Sequence, residues 1–167
     1  MTRQFGADPL DDEVLDRLVY SGNRAPTAGN TPYRRLIILR DPRVLRLMRA
    51  VAPGYVEGDA AAMIVVFTDL SVADRNGNKI HSPWTSRLDA GAAAENIHLA
   101  ATDMGLASSF FTSMSLEGVR ELLDLPDHCR PEIVISVGHP GEGVSRARRT
   151  PQEAKTVFVD RYGKEWR

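Results

Sequence analysis

The sequence offers few side chains in arrangements typical of catalysis. None of the histidines forms an i, i+4 pair or has a carboxylate at a metal-ligand spacing; they are His81, His98, His128 and His139. A Gly-x-Ser-x-Gly nucleophile motif is absent. We therefore predict no metal site and no catalytic side chain, which favours chemistry supplied by a bound cofactor.

Cys129 is the single cysteine, so one chain cannot form an internal disulfide or a multi-cysteine metal site. It lies between His128 and Arg130, and a neighbouring arginine favours the thiolate form. Lone cysteines are nevertheless more often inert. We interpret Cys129 as an unreactive thiol at a helix-to-strand turn.

A glycine-rich segment and a group of arginines are the best candidates for ligand binding. Residues 138–143 (GHPGEG) have the wrong spacing for a dinucleotide fingerprint, although their N–H groups could surround a phosphate. Arg146, Arg148 and Arg149 follow closely. Arginine suits phosphate because its guanidinium donates two parallel hydrogen bonds, whereas a short basic run is more usually a solvated surface.

Composition excludes several classes of protein. The chain has 167 residues, 43% of them hydrophobic, and its 21 basic and 22 acidic side chains leave a net charge of −1. This length suits a single domain over residues 1–167, and the neutral balance argues against a nucleic-acid partner. The longest apolar run is about half a membrane span, and no signal segment opens the chain. We expect a cytoplasmic protein with no membrane partner.

Hydrophobic periodicity predicts helices that alternate imperfectly with strands. The predicted helices cover residues 11–20, 42 to about 51, 86–104 and 115 to about 125. The predicted strands cover residues 36–39, 63–68, 107–112 and 132–138, with 156–159 as a possible closing strand. The pattern supports an α+β or an α/β fold and does not separate them. The many alanines of the third helix predict a central position or a subunit interface.

Three separated stretches resemble the nitroreductase family of flavin-dependent oxidoreductases. Residues 24–30 (RAPTAGN) resemble the family's Ala-Pro-Ser-x-x-Asn segment after the first helix. Residues 89–96 (DAGAAAEN), continuing to Gly105-Leu106, are similar to its central helix. Residues 133–140 (IVISVGHP) resemble its closing strand and Gly-x-Pro, and 160–163 (DRYG) its ending. The match covers nearly the whole chain in the family's order.

The resemblance implies a three-layer α+β sandwich, with a central antiparallel or mixed sheet flanked by helices. It also implies an obligate homodimer with one FMN at each of two subunit interfaces. The loop residues that would reach the partner's flavin are Pro26, Thr27, Ala28 and Asn30. Ser108 and Ser109 would line the isoalloxazine, and the phosphate ligands would be Arg3, Arg146, Arg148 and Arg149.

Two departures from the family pattern bear on cofactor and substrate. Only Arg3 matches the opening Arg-x-Ser-x-Arg motif; losing one phosphate arginine costs on the order of 1.5–3 kcal/mol, about tenfold to a hundredfold in affinity. The family's Gln-Pro-Trp is replaced by Thr31-Pro-Tyr33. The short 69–83 connection resembles compact members without a helical lid, which include cyclodipeptide oxidase subunits.

The resemblance implies that NADH or NADPH passes a hydride to flavin N5 and that an organic acceptor, nitroaromatic or quinone-like, removes it in a ping-pong reaction. Two alternatives stay open. One is a degenerate dimer that binds flavin weakly or not at all and serves as a scaffold or subunit. The other is a flavin-dependent dehydrogenase of a peptide-like substrate.

Overall fold

The centre of the fold is a four-stranded antiparallel sheet in the order β1-β2-β4-β3. The strands are β1 (Arg34–Leu39), β2 (Ala62–Asp69), β3 (Ala107–Phe111) and β4 (Cys129–Gly138). The structure, a computed structural model, describes residues 4–54, 59–73, 76–77, 83–143 and 157–165. The β-branched runs of β2 and β4 form the buried middle of the sheet, while β1 and β3 are its edges.

Helices cover both faces of this sheet. On one face lie α1 (Asp12–Asn23) and α3 (Pro83–Asp103), and on the other α2 (Pro42–Val51) and α4 (Leu116–Leu122). The larger core cluster, beneath α1 and α3, includes Leu15, Leu18, Ile64, Ile97, Ile135 and Val137. The predicted three-layer α+β sandwich is confirmed, with every strand pair antiparallel.

Local sequence signals set the helix ends as predicted. Asp41 caps α2, since its carboxylate accepts the N–H groups of Arg43 at 2.8 Å and Val44 at 3.1 Å. Ser115 caps α4 by accepting the N–H of Gly118 at 3.0 Å. Gly105, with φ of 74°, ends α3.

The alanine-rich α3 is central, as predicted. Its alanines at positions 90, 93, 94 and 101 are buried. The close approach to α1 depends on Gly22, because a Cβ there would lie 2.8 Å from Cδ1 of Ile97. Among the described helices, none combines the length and apolar character needed to cross a membrane.

The predicted end of α4, the predicted start of β4 and the predicted position of Cys129 were wrong. Helix α4 ends at Leu122, before Asp124, whose φ of 51° is incompatible with a helix. Strand β4 starts at Cys129, because a register shift after Val66 lets pairing continue beyond Pro131. Cys129 therefore lies in a strand, opposite Asp69, and not in a turn.

The closing strand predicted over 156–159 is not found in its described part. Residue 156 lies outside the described residues, and Phe158 makes only an isolated bridge with Glu165. The segment turns back on itself: Val159 donates its N–H to the carbonyl of Lys164 at 2.8 Å, across the left-handed residues Asp160 and Gly163.

Candidate functional site

The loop from Pro26 to Asn30 is the best-defined part of the predicted flavin site. It follows α1 and ends in a 3-10 turn over Ala28–Asn30. Gly29 and Asn30 have φ of 62° and 51°, and glycine and asparagine tolerate this left-handed conformation best. The Gly-Asn pair thus shapes the turn. Pro26 and Asn30 are exposed, and Thr27 and Ala28 are half-buried.

Asp89 of α3 anchors this loop. Its Oδ2 accepts the backbone N–H of Ala28 at 2.7 Å and also the hydroxyl of Tyr33. Burial, and next the hydrogen bond to Asp89, raise the pKa of Tyr33 well above its ordinary value. The phenol therefore stays protonated and keeps donating to the carboxylate.

The Arg34 side chain holds the same loop by binding backbone carbonyl groups. Its guanidinium donates to the carbonyls of Ala25 (2.9 Å), Pro26 (3.2 Å), Asn23 (3.3 Å) and Asp89 (3.3 Å). Burial lowers the pKa of Arg34, and the nearby Asp89 carboxylate opposes that effect. The loop backbone is thus fixed by a carboxylate on one side and a guanidinium on the other.

A hollow of about 370 Å³ lies beside the loop. It is lined by Asn23, Arg24, Ala25, Pro26, Thr27, Asn30, Pro32 and Arg34. Among the described residues, neither the Thr27 hydroxyl nor the Asn30 carboxamide has a hydrogen-bond partner. The rigid loop therefore presents two polar groups that are available to a ligand.

Ser108 and Ser109 lie in β3 with their side chains on opposite faces of the sheet. The Ser108 Oγ is 2.6 Å from Nδ1 of His98 in α3, and burial lowers the pKa of that histidine. Ser109 faces the α2/α4 layer and pairs with Ser136, whose buried Oγ has no partner in the described part of the chain. Both serines are buried. Because they point to opposite faces of the sheet, their hydroxyls do not line a common surface. Their contact with flavin stays a prediction.

The four predicted phosphate ligands, Arg3, Arg146, Arg148 and Arg149, lie outside the described residues. The described segments next to them are joined to each other. Gly6 donates its N–H to the carbonyl of His139 at 2.9 Å, and Gly141 donates to that of Gln4 at 3.2 Å. The glycine-rich 138–143 segment is therefore held against the start of the chain.

A second polar cluster lies near the start of β4, at the opposite end of this strand from the glycine-rich segment. The Glu132 carboxylate is buried and accepts from Arg130 (Nη2, 2.6 Å) and from the hydroxyl of Thr68 (2.8 Å). It borders a cavity of about 420 Å³, which Arg87 and Thr112 also line. Because its charge is paired, the cluster joins β2, β4 and α3 in the manner of a structural ion pair.

Comparison with known proteins decides the family. A model of the Nitroreductase family matches residues 52–139, more than half of the chain. The chain belongs to the nitroreductase family. An NADPH-dependent oxidoreductase of Staphylococcus aureus (strain USA300) is 28% identical over 169 residues, which cover 93% of this chain and 67% of that relative.

Solved nitroreductases have the same fold. A putative NADH dehydrogenase/NAD(P)H nitroreductase of Parabacteroides distasonis is 27% identical with a TM-score of 0.79, over 96% of this chain and 92% of that one. An FMN-dependent nitroreductase of Clostridium difficile R20291 is 21% identical with a TM-score of 0.79, over 96% and 94%. The latter likeness is one of fold alone.

The sequence assigned no role to the residues that position the loop. Asp89 lies 61 residues from Ala28 and 56 from Tyr33, so no local spacing links them. Two signals were present: an acidic residue at the start of an alanine-rich stretch, and a tyrosine in place of the family's tryptophan. Both become meaningful only when α3 packs against the loop.

Proposed function

We propose that this nitroreductase-family protein is an FMN-dependent oxidoreductase that takes hydride from NADH or NADPH and passes it to an organic acceptor, nitroaromatic or quinone-like, in a ping-pong reaction. The name of the Staphylococcus relative supports a nicotinamide donor, and that of the Clostridium neighbour supports FMN. The observation that carries the proposal is the fixed loop, whose Thr27 hydroxyl and Asn30 carboxamide have no hydrogen-bond partner in the described part of the chain.

These groups fit a flavin chemically. The pyrimidine edge of isoalloxazine both donates and accepts hydrogen bonds, and a carboxamide and a hydroxyl each do both. Holding the loop rigid lowers the entropy that binding would otherwise cost. Pro26, Thr27, Ala28 and Asn30 would contact the flavin held with the partner subunit. Ser108 and Ser109, whose side chains are buried on opposite faces of the sheet, would border the ring through backbone groups of β3. The arginines Arg3, Arg146, Arg148 and Arg149 would bind the phosphate.

The chain's own residues bind and orient in this proposal. FMN, when bound, supplies a centre at N5 that accepts and returns a hydride. Asp89 and Arg34 keep the loop in one conformation, so that its polar groups meet the ring edge in a fixed geometry. No side chain has to act as a general acid or base.

A homodimer belongs to the same proposal, because one side of α3 presents a stripe of exposed apolar side chains, interrupted by the exposed Glu95. Trp84 is 70% exposed, and Leu88 and Leu99 are each 57% exposed; these positions share one side of the helix. Gly91 lies in the stripe, and a Cβ built there meets nothing within 4 Å. A glycine that costs helix stability without an internal reason fits close approach of a second copy.

Flavin titration tests the proposal directly. We expect the purified protein to show, or to acquire on addition of FMN, a perturbed flavin absorption spectrum that anaerobic NADH or NADPH bleaches and a quinone restores. Absence of any FMN-dependent spectral change would contradict the proposal and favour the scaffold interpretation. Bleaching by a cyclic dipeptide and not by nicotinamide would favour the peptide dehydrogenase.

Single arginine substitutions test the phosphate ligands. Arg146→Ala, Arg148→Ala and Arg149→Ala are each expected to weaken FMN binding by about tenfold to a hundredfold. The charge-matched control is Arg43→Ala on α2, which is exposed and should leave the affinity unchanged. Equal affinities in the four variants would remove the arginines from the proposed site.

A further inference from the structure

Three different metal-ligating side chains meet where β2 ends and β4 begins. Asp69 and Cys129 are direct partners across these antiparallel strands, and His128 immediately precedes Cys129. One carboxylate oxygen, one imidazole nitrogen and the sulfur all lie within 4.8 Å of one another. Within the described ranges, no other trio of histidine, cysteine or acidic side chains converges in this way.

Backbone hydrogen bonds fix the main chain that carries these groups. Asp69 donates its N–H to the carbonyl of Tyr33, and Leu70 donates to that of His128, each at 2.8 Å. Cys129 donates to the carbonyl of Pro126, also at 2.8 Å. The three Cβ atoms therefore keep their relative positions, and only side-chain rotations are needed to bring the ligand atoms to bonding distance.

The three side chains differ in exposure, because the Cys129 thiol is buried whereas the His128 imidazole is half-exposed. Ser71 donates from its N–H (3.0 Å) and hydroxyl (2.5 Å) to Oδ1 of Asp69, and Arg35 lies 3.6 Å from Oδ2. The His128 imidazole is half-exposed with Nε2 3.7 Å from Oδ1 of Asp69, so it can turn without breaking a core contact.

Against the sequence-based predictions of no metal site and an unreactive Cys129, we propose that Asp69, His128 and Cys129 form a three-ligand site for Zn²⁺ or a similar divalent transition metal. A thiolate, an imidazole and a carboxylate together suit Zn²⁺ and disfavour Mg²⁺ and Ca²⁺, which prefer oxygen ligands. Arg35, near the other carboxylate oxygen, would help to orient the carboxylate without touching the metal. Binding through Oδ1 would require the hydroxyl of the exposed Ser71 to rotate away from that oxygen.

The proposal is independent of flavin binding and is tested with Co²⁺ as a spectroscopic probe. In difference spectra of the protein with and without Co²⁺, we expect one equivalent per chain to produce a thiolate-to-Co²⁺ charge-transfer band, which Zn²⁺ abolishes by displacement. Cys129→Ser should remove the band. His128→Gln and Asp69→Asn should each weaken Co²⁺ binding by at least roughly 10–100-fold, because losing a group that only supports a ligand already costs that much.

The matched control is His139→Gln, which removes an exposed histidine at the opposite end of β4 and should leave the titration unchanged. Thermal unfolding without metal shows whether each variant folds, and His128→Gln should, because its side chain is half-exposed. Zn²⁺ should raise Tm of the wild type and not of His128→Gln. Absence of a thiolate band, or an equal affinity in His128→Gln and wild type, would overturn the proposal.

Discussion

At the scale of single residues, Asp89 decides the shape of the candidate flavin site. One carboxylate oxygen serves two donors from different parts of the chain, the N–H of Ala28 and the hydroxyl of Tyr33. Removing the Asp89 carboxylate would leave both of these donors unpaired in a partly buried setting. The resulting loss of stability exceeds the contribution of a single hydrogen bond.

Asp89→Ala should lower the free energy of unfolding by about 2 kcal/mol, and Tyr33→Phe by about 1 kcal/mol, as measured by urea titration. The rate of hydrogen exchange at the backbone N–H of Ala28 distinguishes the two variants. It should accelerate in Asp89→Ala, which removes the acceptor, and stay slow in Tyr33→Phe, which keeps it. Equal exchange in both variants would show that Asp89 does not hold the loop.

His98 gives the protein a pH dependence of known sign. Burial lowers the pKa of this residue from its ordinary value of 6.5, so the unfolded chain takes up a proton more readily than the folded one. Stability should therefore fall as the pH drops through 6.5 and should be independent of His98 above it.

His98→Gln should flatten this slope, since glutamine has no titrating proton and still reaches the Ser108 hydroxyl. The free energy of unfolding, measured at about pH 7.5 and about pH 5.5, gives the slope. His139→Gln, which changes an exposed histidine, should keep the wild-type slope. A His98→Gln slope as steep as the wild type would contradict the assignment.

At the scale of elements, glycines set how closely the helices approach. Gly118 lies within α4, where alanine would favour the helix by about 1 kcal/mol on propensity alone. In the fold, a Cβ there would lie 2.8 Å from Cγ1 of Val51 in α2. The steric cost of overpacking then exceeds the gain in propensity.

Gly118→Ala should consequently destabilise the protein by about 1–3 kcal/mol in urea unfolding. Val51→Ala removes Cγ1 and leaves the Cβ of residue 51 at 3.0 Å from the new methyl group. Gly118→Ala should therefore cost less stability in the Val51→Ala background than in the wild type, without becoming neutral. A Gly118→Ala protein more stable than wild type would mean that α4 and α2 are not in contact at this point.

At the scale of the whole molecule, the exposed stripe on α3 bears on assembly. Trp84, Leu88 and Leu99 share one side of a central helix with Gly91, and large apolar side chains so arranged are typical of protein–protein interfaces. The described chain already buries the other side of α3 in its own core. A second copy would bury the stripe and add its loop to the flavin site.

Leu99→Glu should therefore weaken the proposed dimer by on the order of 3 kcal/mol, about a hundredfold in Kd, because a charge would be buried without a partner. Sedimentation velocity at several protein concentrations measures the change. Leu47→Glu, on the exposed side of α2, is the control and should stay dimeric. Equal sedimentation of the two variants would place the interface elsewhere.

The sequence by itself determined most of the secondary structure, and the layering of the fold followed from its resemblance to the nitroreductase family. Asp41, Ser115 and Gly105 mark helix ends correctly because capping depends on groups within a few residues. The apolar runs predict the strands for the same local reason. The boundaries that failed, at Cys129 and after Leu122, depend on a register shift and a left-handed turn that periodicity does not reveal.

Only the tertiary structure decided which distant residues meet. It joins Asp89 to Ala28 and Tyr33, places Ser108 and Ser109 on opposite faces, and brings Asp69 to His128 and Cys129. Local free energies choose a helix or a strand, whereas these contacts depend on strand register and on how layers stack. Register and stacking are set by the sum of many long-range contacts, which no short stretch of sequence carries.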